Sequence, residues 1–544
     1  MSKPHDGAAS KSSSRDASSV LAITSMSSAH PSQQQGELTI KAKHFLLTAA
    51  FLAGSIAVAP LQAQESPTYK AKVPKELLTP DKMESSYLGE LRFQDGFPTK
   101  ETASKVSNFV DISRAVELFI NGTPAASMYG MLNGHVKIGL VPNHSVGITE
   151  ELMNARSLWL TPQTTTPYVH AEVDVKDGPV VIEIGTPVLG FVNDAFFRYV
   201  TDLGVVGADK GKGGKYLFVG PDYKGEIPEG YFVSRTSTYR HWALMRIAAK
   251  PGATKQAIEA FKKTFKIYPL ADANNPKPTG FINLSSKQYN TIHANNASFF
   301  DELNEVIQYE PATAWDPELV GQAGAIGIKK GQTFNPDDRM KKILAEASTI
   351  ANAYARTVVF SPRNEEVYFY PGKRQWYSPL AGGSHEFLNN GERVLDDRLI
   401  FYYYATGSTP MMVKPMVGKG SVYAMATTDS NGVPLNGAKT YKVTLPAPIP
   451  AKDFWSFMVY DNQTRSILET DQVTGGLDSN SKGVKLNPDG SATVYFGPKA
   501  PEGQEGNWVQ TMPGKGYNAI LRLYGPLEPW FEKSWMPGDF ESVN

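Results

Sequence analysis

The sequence predicts a mixed, mainly β protein with an N-terminal β-sandwich, a central helical region and a C-terminal jelly-roll β-sandwich. Three observations carry this expectation. Short apolar-alternating runs with turn punctuation recur over residues 157–246 and again from about residue 421, the pattern of sandwich strands. Between them, apolar residues return at three- and four-residue spacing, the mark of amphipathic helices. The 47 glycines and 38 prolines supply the turns that many short strands need. With 544 residues the chain also exceeds what one core usually holds, about 250–300 residues, so several domains are expected.

Residues 1–63 read as a lead and a signal peptide. Residues 1–36 are rich in Ser, Ala and Gln without apolar periodicity and are expected to be disordered. Lys41 and Lys43 then precede an apolar run over 45–59, followed by Pro60 and Leu61-Gln62-Ala63. That layout predicts export to the periplasm or beyond, cleavage after Ala63 and no membrane span in the mature chain. Met26 offers a start that would give a more conventional leader.

Residues 64–105, rich in Pro and Lys, read as a linker or arm. A sandwich domain with a leading helix is expected over 106–250: Phe109, Ile112, Ala115, Val116, Phe119 and Ile120 share one helical face, and Gly122-Thr123-Pro124 is expected to stop the helix. Strands follow in SLWLT, YVHAEVDV, GPVVIEIG, KYLFVGP, GYFVSRTS and HWALMRI. GADKGKGGK lacks the order of a phosphate loop and reads as a plain loop. Residues 251–415 form the helical region, with helices over 254–268, 298–309 and 335–360, the last with Asn335 as N-cap and Pro336 in its first turn. Residues 416–544 carry about eight strands with turns at Ser430-Asn431-Gly432 and Asn487-Pro488-Asp489-Gly490, the jelly roll.

Composition narrows function. Lys plus Arg equals Asp plus Glu at 54 each, so no global field draws nucleic acid, and none is expected as a partner. With no cysteine there is neither a thiolate nucleophile nor a thiolate metal site. The histidines are scattered, and no metal or cofactor is expected. His-Glu-x-x-His, Gly-x-Ser-x-Gly and dinucleotide signatures are absent, while Ser479 and Lys482 match Ser-x-x-Lys only within a turn-like run.

The segments GPVVIEIG, FRYVTDLG, GKGGKYLFVGPDYKGEIPEGY and YRHWALMR resemble the bacterial domain of unknown function 1254. IPAKDFWSFMVYDNQTRS, DGSATVYFGPKAP and NWVQTMPGKGYNAILRLYGPLEPWF resemble its usual C-terminal companion, domain of unknown function 1214. The resemblance implies an immunoglobulin-like first sandwich, a helical region and a terminal jelly roll. It implies no reaction. Many relatives place an Asn and an Asp before Thr-x-Tyr, where this chain has Gln163-Thr164-Thr165-Thr166-Pro167-Tyr168.

Two residue sets are candidates for function. His293, with Asp301 and Glu302 in the first turn of the next helix, has the composition of an acid/base group with carboxylate support. The competing structural reading is a helix-capping loop in which His293 bonds a backbone carbonyl. In the C-terminal sandwich, Trp455, Tyr460, Asp461, Arg465, Trp508 and Arg522 combine stacking faces with charge, and Tyr404 closes an aromatic run at the junction with the helices. Arg522 alternates with Leu521 and Leu523, so it faces away from them and is expected to pair with Asp461 or Asp471. The competing reading is a structural salt bridge among core aromatics. These sets predict a protein that binds a small molecule or a cell-envelope saccharide in an interdomain cleft. A cofactor-independent hydrolase or lyase using His293 and a scaffold forming homo-oligomers are the alternatives.

Overall fold

The computed structural model describes residues 70–249, 252–380 and 383–543. The expected leader and its cleavage site after Ala63 lie outside them. No helix among the described residues is long and apolar enough to cross a membrane. Residues 77–544 form one compact unit, in which all the following elements lie.

The first sandwich has a six-stranded sheet in the order Gly280–Asn283, Ser145–Ile148, Tyr168–Asp174, Arg240–Ile247, Val188–Asp194 and Tyr199–Gly204. A four-stranded sheet in the order Phe232–Arg235, Gly214–Val219, Val180–Ile184 and Lys266–Pro269 covers it. Val169, Ala171, Val173, Ala243, Met245 and Val192 of the larger sheet meet Val180, Ile182, Ile184, Tyr216 and Phe218 of the smaller in one buried core. The period of two leaves Tyr168, His170, Trp242, Leu244, Arg246 and Phe191 on the opposite face of the large sheet. Residues 254–268 do not make one helix: Thr254–Thr264 is helical, and Lys266–Pro269 pairs with Val180–Ile184. Burial of Ile267 and Tyr268 at that sheet edge outweighs the helical spacing.

The C-terminal sandwich follows the same plan. Its sheets run Ser421–Ala426, Tyr517–Pro526, Ala451–Asp461, Gly476–Asp478 and Trp508–Gln510, Ala492–Gly497, Tyr441–Leu445, Glu541–Ser542. Val422, Trp455, Phe457, Val459, Leu521 and Leu523 point into the core against Tyr441, Val443, Val494 and Phe496. Tyr423, Phe454, Tyr460, Ile520, Arg522 and Tyr524 therefore occupy the outer face.

Helices Lys100–Lys137, Ser298–Tyr309, Pro317–Ala325, Asp338–Phe360 and Leu395–Tyr404 share the largest core. The first of them runs straight through Gly122-Thr123-Pro124. An internal proline costs a helix about 3 kcal/mol, but Leu118, Phe119, Ala125, Ala126, Met128 and Met131 around it are all buried. Gly122 sits where a Cβ would meet Leu303 Cδ1 at 2.8 Å, so the glycine serves close helix packing. The long helix at Asp338–Phe360 starts two residues later than expected, because the Asp337 carboxylate accepts from the Met340 amide at 2.7 Å and caps it in place of Asn335. Within residues 64–105, expected to be a linker or arm, Lys82–Ser85, Gly89–Gln94 and Phe97–Pro98 form a small antiparallel sheet. Asp95 and Gly96, both at positive φ, make its tight turn, a signal the Pro and Lys content masked.

Candidate functional site

The outer faces of the two sandwiches look at one another, and a cleft lies between them. On the first sheet, register sets Tyr168, Arg246 and Leu189 in one row, and His170, Leu244 and Phe191 in the next. On the second, Tyr423, Arg522 and Ser456 form one row, and Ser421, Tyr524 and Phe454 the next. Each arginine is thus the central residue of a sheet row. The loop 155–165 ties the two sandwiches together: the Ala155 amide donates to Val473 O at 3.1 Å and the Thr161 amide to Arg465 O at 3.0 Å. Tyr460 Oη donates to Pro162 O at 2.6 Å. Within that loop, the Gln163 side chain accepts from the Thr165 and Thr166 amides and so fixes its shape.

The cleft has two chambers. The inner one, about 80 Å³, is lined by Trp159, Tyr168, His170, Trp242, Phe401, Tyr404, Arg522 and others. The outer one, about 290 Å³, is lined by Leu189, Leu244, Met411, Phe454, Asp202 and Asp453 among others. Phe191, Leu244, Arg246, Met412, Tyr423 and Tyr524 line both, so the chambers adjoin.

The electrostatics of the inner chamber are unbalanced. No carboxylate lines it, and neither Arg246 nor Arg522 has an ion-pair partner among the described residues. Arg522 is buried; its Nη2 donates to Tyr460 Oη at 2.7 Å and Thr161 O at 3.3 Å, while its Nη1 has no partner. Two guanidiniums, always protonated, face a cavity whose other polar groups include four tyrosine hydroxyls. Burial pushes the Tyr423 phenol up, but Arg246, the Ser421 hydroxyl at 3.0 Å and Arg522 outweigh it, and the phenol lies below its ordinary value. Burial holds His170 neutral, far below the usual imidazole range, with neither ring nitrogen bonded.

The expected Arg522–Asp461 pair does not form. The register sets Ser456, not Asp461, opposite Arg522, and Asp461 takes Lys515 Nζ at 2.7 Å instead. Asp471 likewise serves Gln510. Of the C-terminal candidates, Arg522 and Tyr404 line the inner chamber and Tyr460 stands behind Arg522. Trp455 lies inside the sandwich core, and Trp508, half-buried, donates its Nε1 to Gly497 O. Arg465 is fully buried with no hydrogen bond from its guanidinium, which rests over the Tyr403 ring at 3.9 Å; burial pushes it down to about 10.

His293 lines neither chamber. It is buried against Phe299 and Tyr403, its Nδ1 donates to Ala294 O at 2.8 Å, and burial, followed by Arg465, takes it down to about 3. Glu302 accepts the Ala294 amide with both oxygens and is pushed by burial to about 7, while Asp301 is exposed. The three are near in sequence, but the contacts Glu302 makes are to backbone. Arg246, Tyr168 and Tyr423 are functional candidates that sequence reasoning missed. The alternation that set Arg522 apart also sets Arg246 on the face of Trp242 and Leu244 within HWALMRI, and that was the available signal.

Two sandwiches that face each other across a basic, aromatic cleft beside a helical layer define the class of this protein. Residues 143–269 match the family described as protein of unknown function DUF1254 and residues 420–528 that described as protein of unknown function DUF1214, so the chain carries these two domains in that order. Each supplies one of the two cleft arginines. The VPA0106 protein from Vibrio parahaemolyticus has a similar fold, at 17% identity and a TM-score of 0.50, over 80% of this chain and 100% of that one. An uncharacterised protein from Burkholderia cenocepacia is 12% identical over 81% of this chain and 96% of that one, with a TM-score of 0.37. Comparison with curated proteins gives no match.

Proposed function

We propose that this is an exported protein that binds a small anionic molecule in the cleft between its sandwiches. One observation carries the reading: Arg246 and Arg522, one from each sandwich, face the same tyrosine-lined cavity, and no carboxylate lines its inner chamber. A buried guanidinium without a counter-charge is costly unless something anionic meets it. The planar fork suits a carboxylate or phosphate oxygen pair. Export rests on the leader pattern of residues 41–63.

Thermal-shift measurement with matched carboxylates and their neutral amides tests this. Carboxylates raise the melting temperature and amides do not, and Arg246→Met removes the shift. Trp508→Ala, outside the cleft, keeps it. Equal shifts with acids and amides would refute the anion site.

The same geometry sets a pH dependence. Deprotonating Tyr423 places a negative charge beside both guanidiniums, where the ligand's own charge would sit. Affinity for an anion therefore falls as pH rises through the lowered phenol pKa, short of the usual value near 10. Tyr423→Phe retains its affinity across that interval; calorimetric titration at stepped pH reads the difference.

A further inference from the structure

We propose that the cleft's ligand is an amphipathic carboxylate, with its head on Arg246 and Arg522 and an apolar tail lying in the outer chamber. The inference rests on the anion-binding reading of the same cleft and adds what the rest of the molecule must be. The inner chamber, at about 80 Å³, holds little beyond a head group, whereas the outer one offers about 290 Å³. Leu189, Leu244, Met411, Met412 and Phe454 line that larger space, and it carries no cation besides Arg246. It opens toward solvent past Leu189 and Asp453, both exposed.

Charge fixes the direction. Asp202 and Asp453 line only the outer chamber, and Arg522 only the inner. An anionic head is repelled from the acidic end and drawn to the basic one, so the tail trails outward. Arg522 Nη1, buried and without a partner, is the donor left for the head. Met411 and Met412 suit a tail of variable shape, since the unbranched thioether side chain fills irregular space without a fixed rotamer.

Calorimetry on the mature protein with straight-chain carboxylates from butanoate to dodecanoate tests the proposal. Each added methylene is expected to tighten binding about threefold to fourfold until the chamber is filled. Met411→Trp is expected to bring that limit to a shorter chain, and Leu189→Trp, at the rim, serves the same purpose should the first variant not fold. Alcohols of equal length are expected to bind at least tenfold more weakly. Affinity that ignores chain length while butanoate still binds would overturn the tail assignment and leave the anion site standing. Binding of alcohols as tight as that of acids would overturn the head assignment, and with it the anion site.

Discussion

Arg522→Met is expected to weaken binding of a carboxylate in the cleft by at least about 30-fold while leaving the ligand-free protein as stable as the parent or more so. The two effects have opposite signs for one reason. Removing one member of a buried charge contact costs the complex about 2–5 kcal/mol. In the empty protein the same guanidinium has no counter-charge, and replacing buried ionic groups by apolar side chains of similar volume is neutral or stabilising by about 1–4 kcal/mol. The hydrogen bond to Tyr460 and the longer one to Thr161 O are lost, but Tyr460 keeps its bond to Pro162 O. Melting curves with and without octanoate read both quantities. A fall in the melting temperature of the empty protein by many degrees would show that Arg522 is a structural residue first.

Gly134→Ala is expected to destabilise the protein by about 3 kcal/mol, against the helix propensity that favours alanine by about 1 kcal/mol. An added Cβ would stand 2.2 Å from the carbonyl oxygen of Asn290, a backbone atom that cannot rotate away. The clash reaches the cleft, because Asn290 and its neighbour pair with Ser157–Leu158 and the Thr291 amide donates to Leu158 O at 2.9 Å, directly before Trp159. Gly321→Ala is the control: no atom lies within 4 Å of its Cβ position on the helix Pro317–Ala325, so propensity alone acts there and stability rises by about 1 kcal/mol. Equal effects of the two substitutions in chemical denaturation would reject the packing argument.

Local patterns were the legible part of this sequence. The helix Ser298–Tyr309 follows from the spacing of Phe299, Phe300, Leu303, Val306 and Ile307 because all five meet a single core. The alternation of Leu521, Arg522 and Leu523 gave the correct face for Arg522. What that face looks at was not legible, since the opposing wall comes from a strand of the other sandwich and no period in either segment reports their meeting. For the same reason the charged neighbour Asp461 was a natural but mistaken partner. Gly122 and Pro124 misled in the reverse way: both are helix breakers in isolation, and only the tertiary core that buries their helix makes them helical.

The loop 155–165 has one further consequence. Its Ala155 and Thr161 amides find their acceptors in the C-terminal sandwich, and Tyr460 of that sandwich satisfies the Pro162 carbonyl in return. A chain cut between the two sequence families would strand these groups and open the faces bearing Trp242, Ile520 and Tyr524 to water. The families that similarity picks out are units of inheritance, and the cooperative unit of this molecule is larger than either.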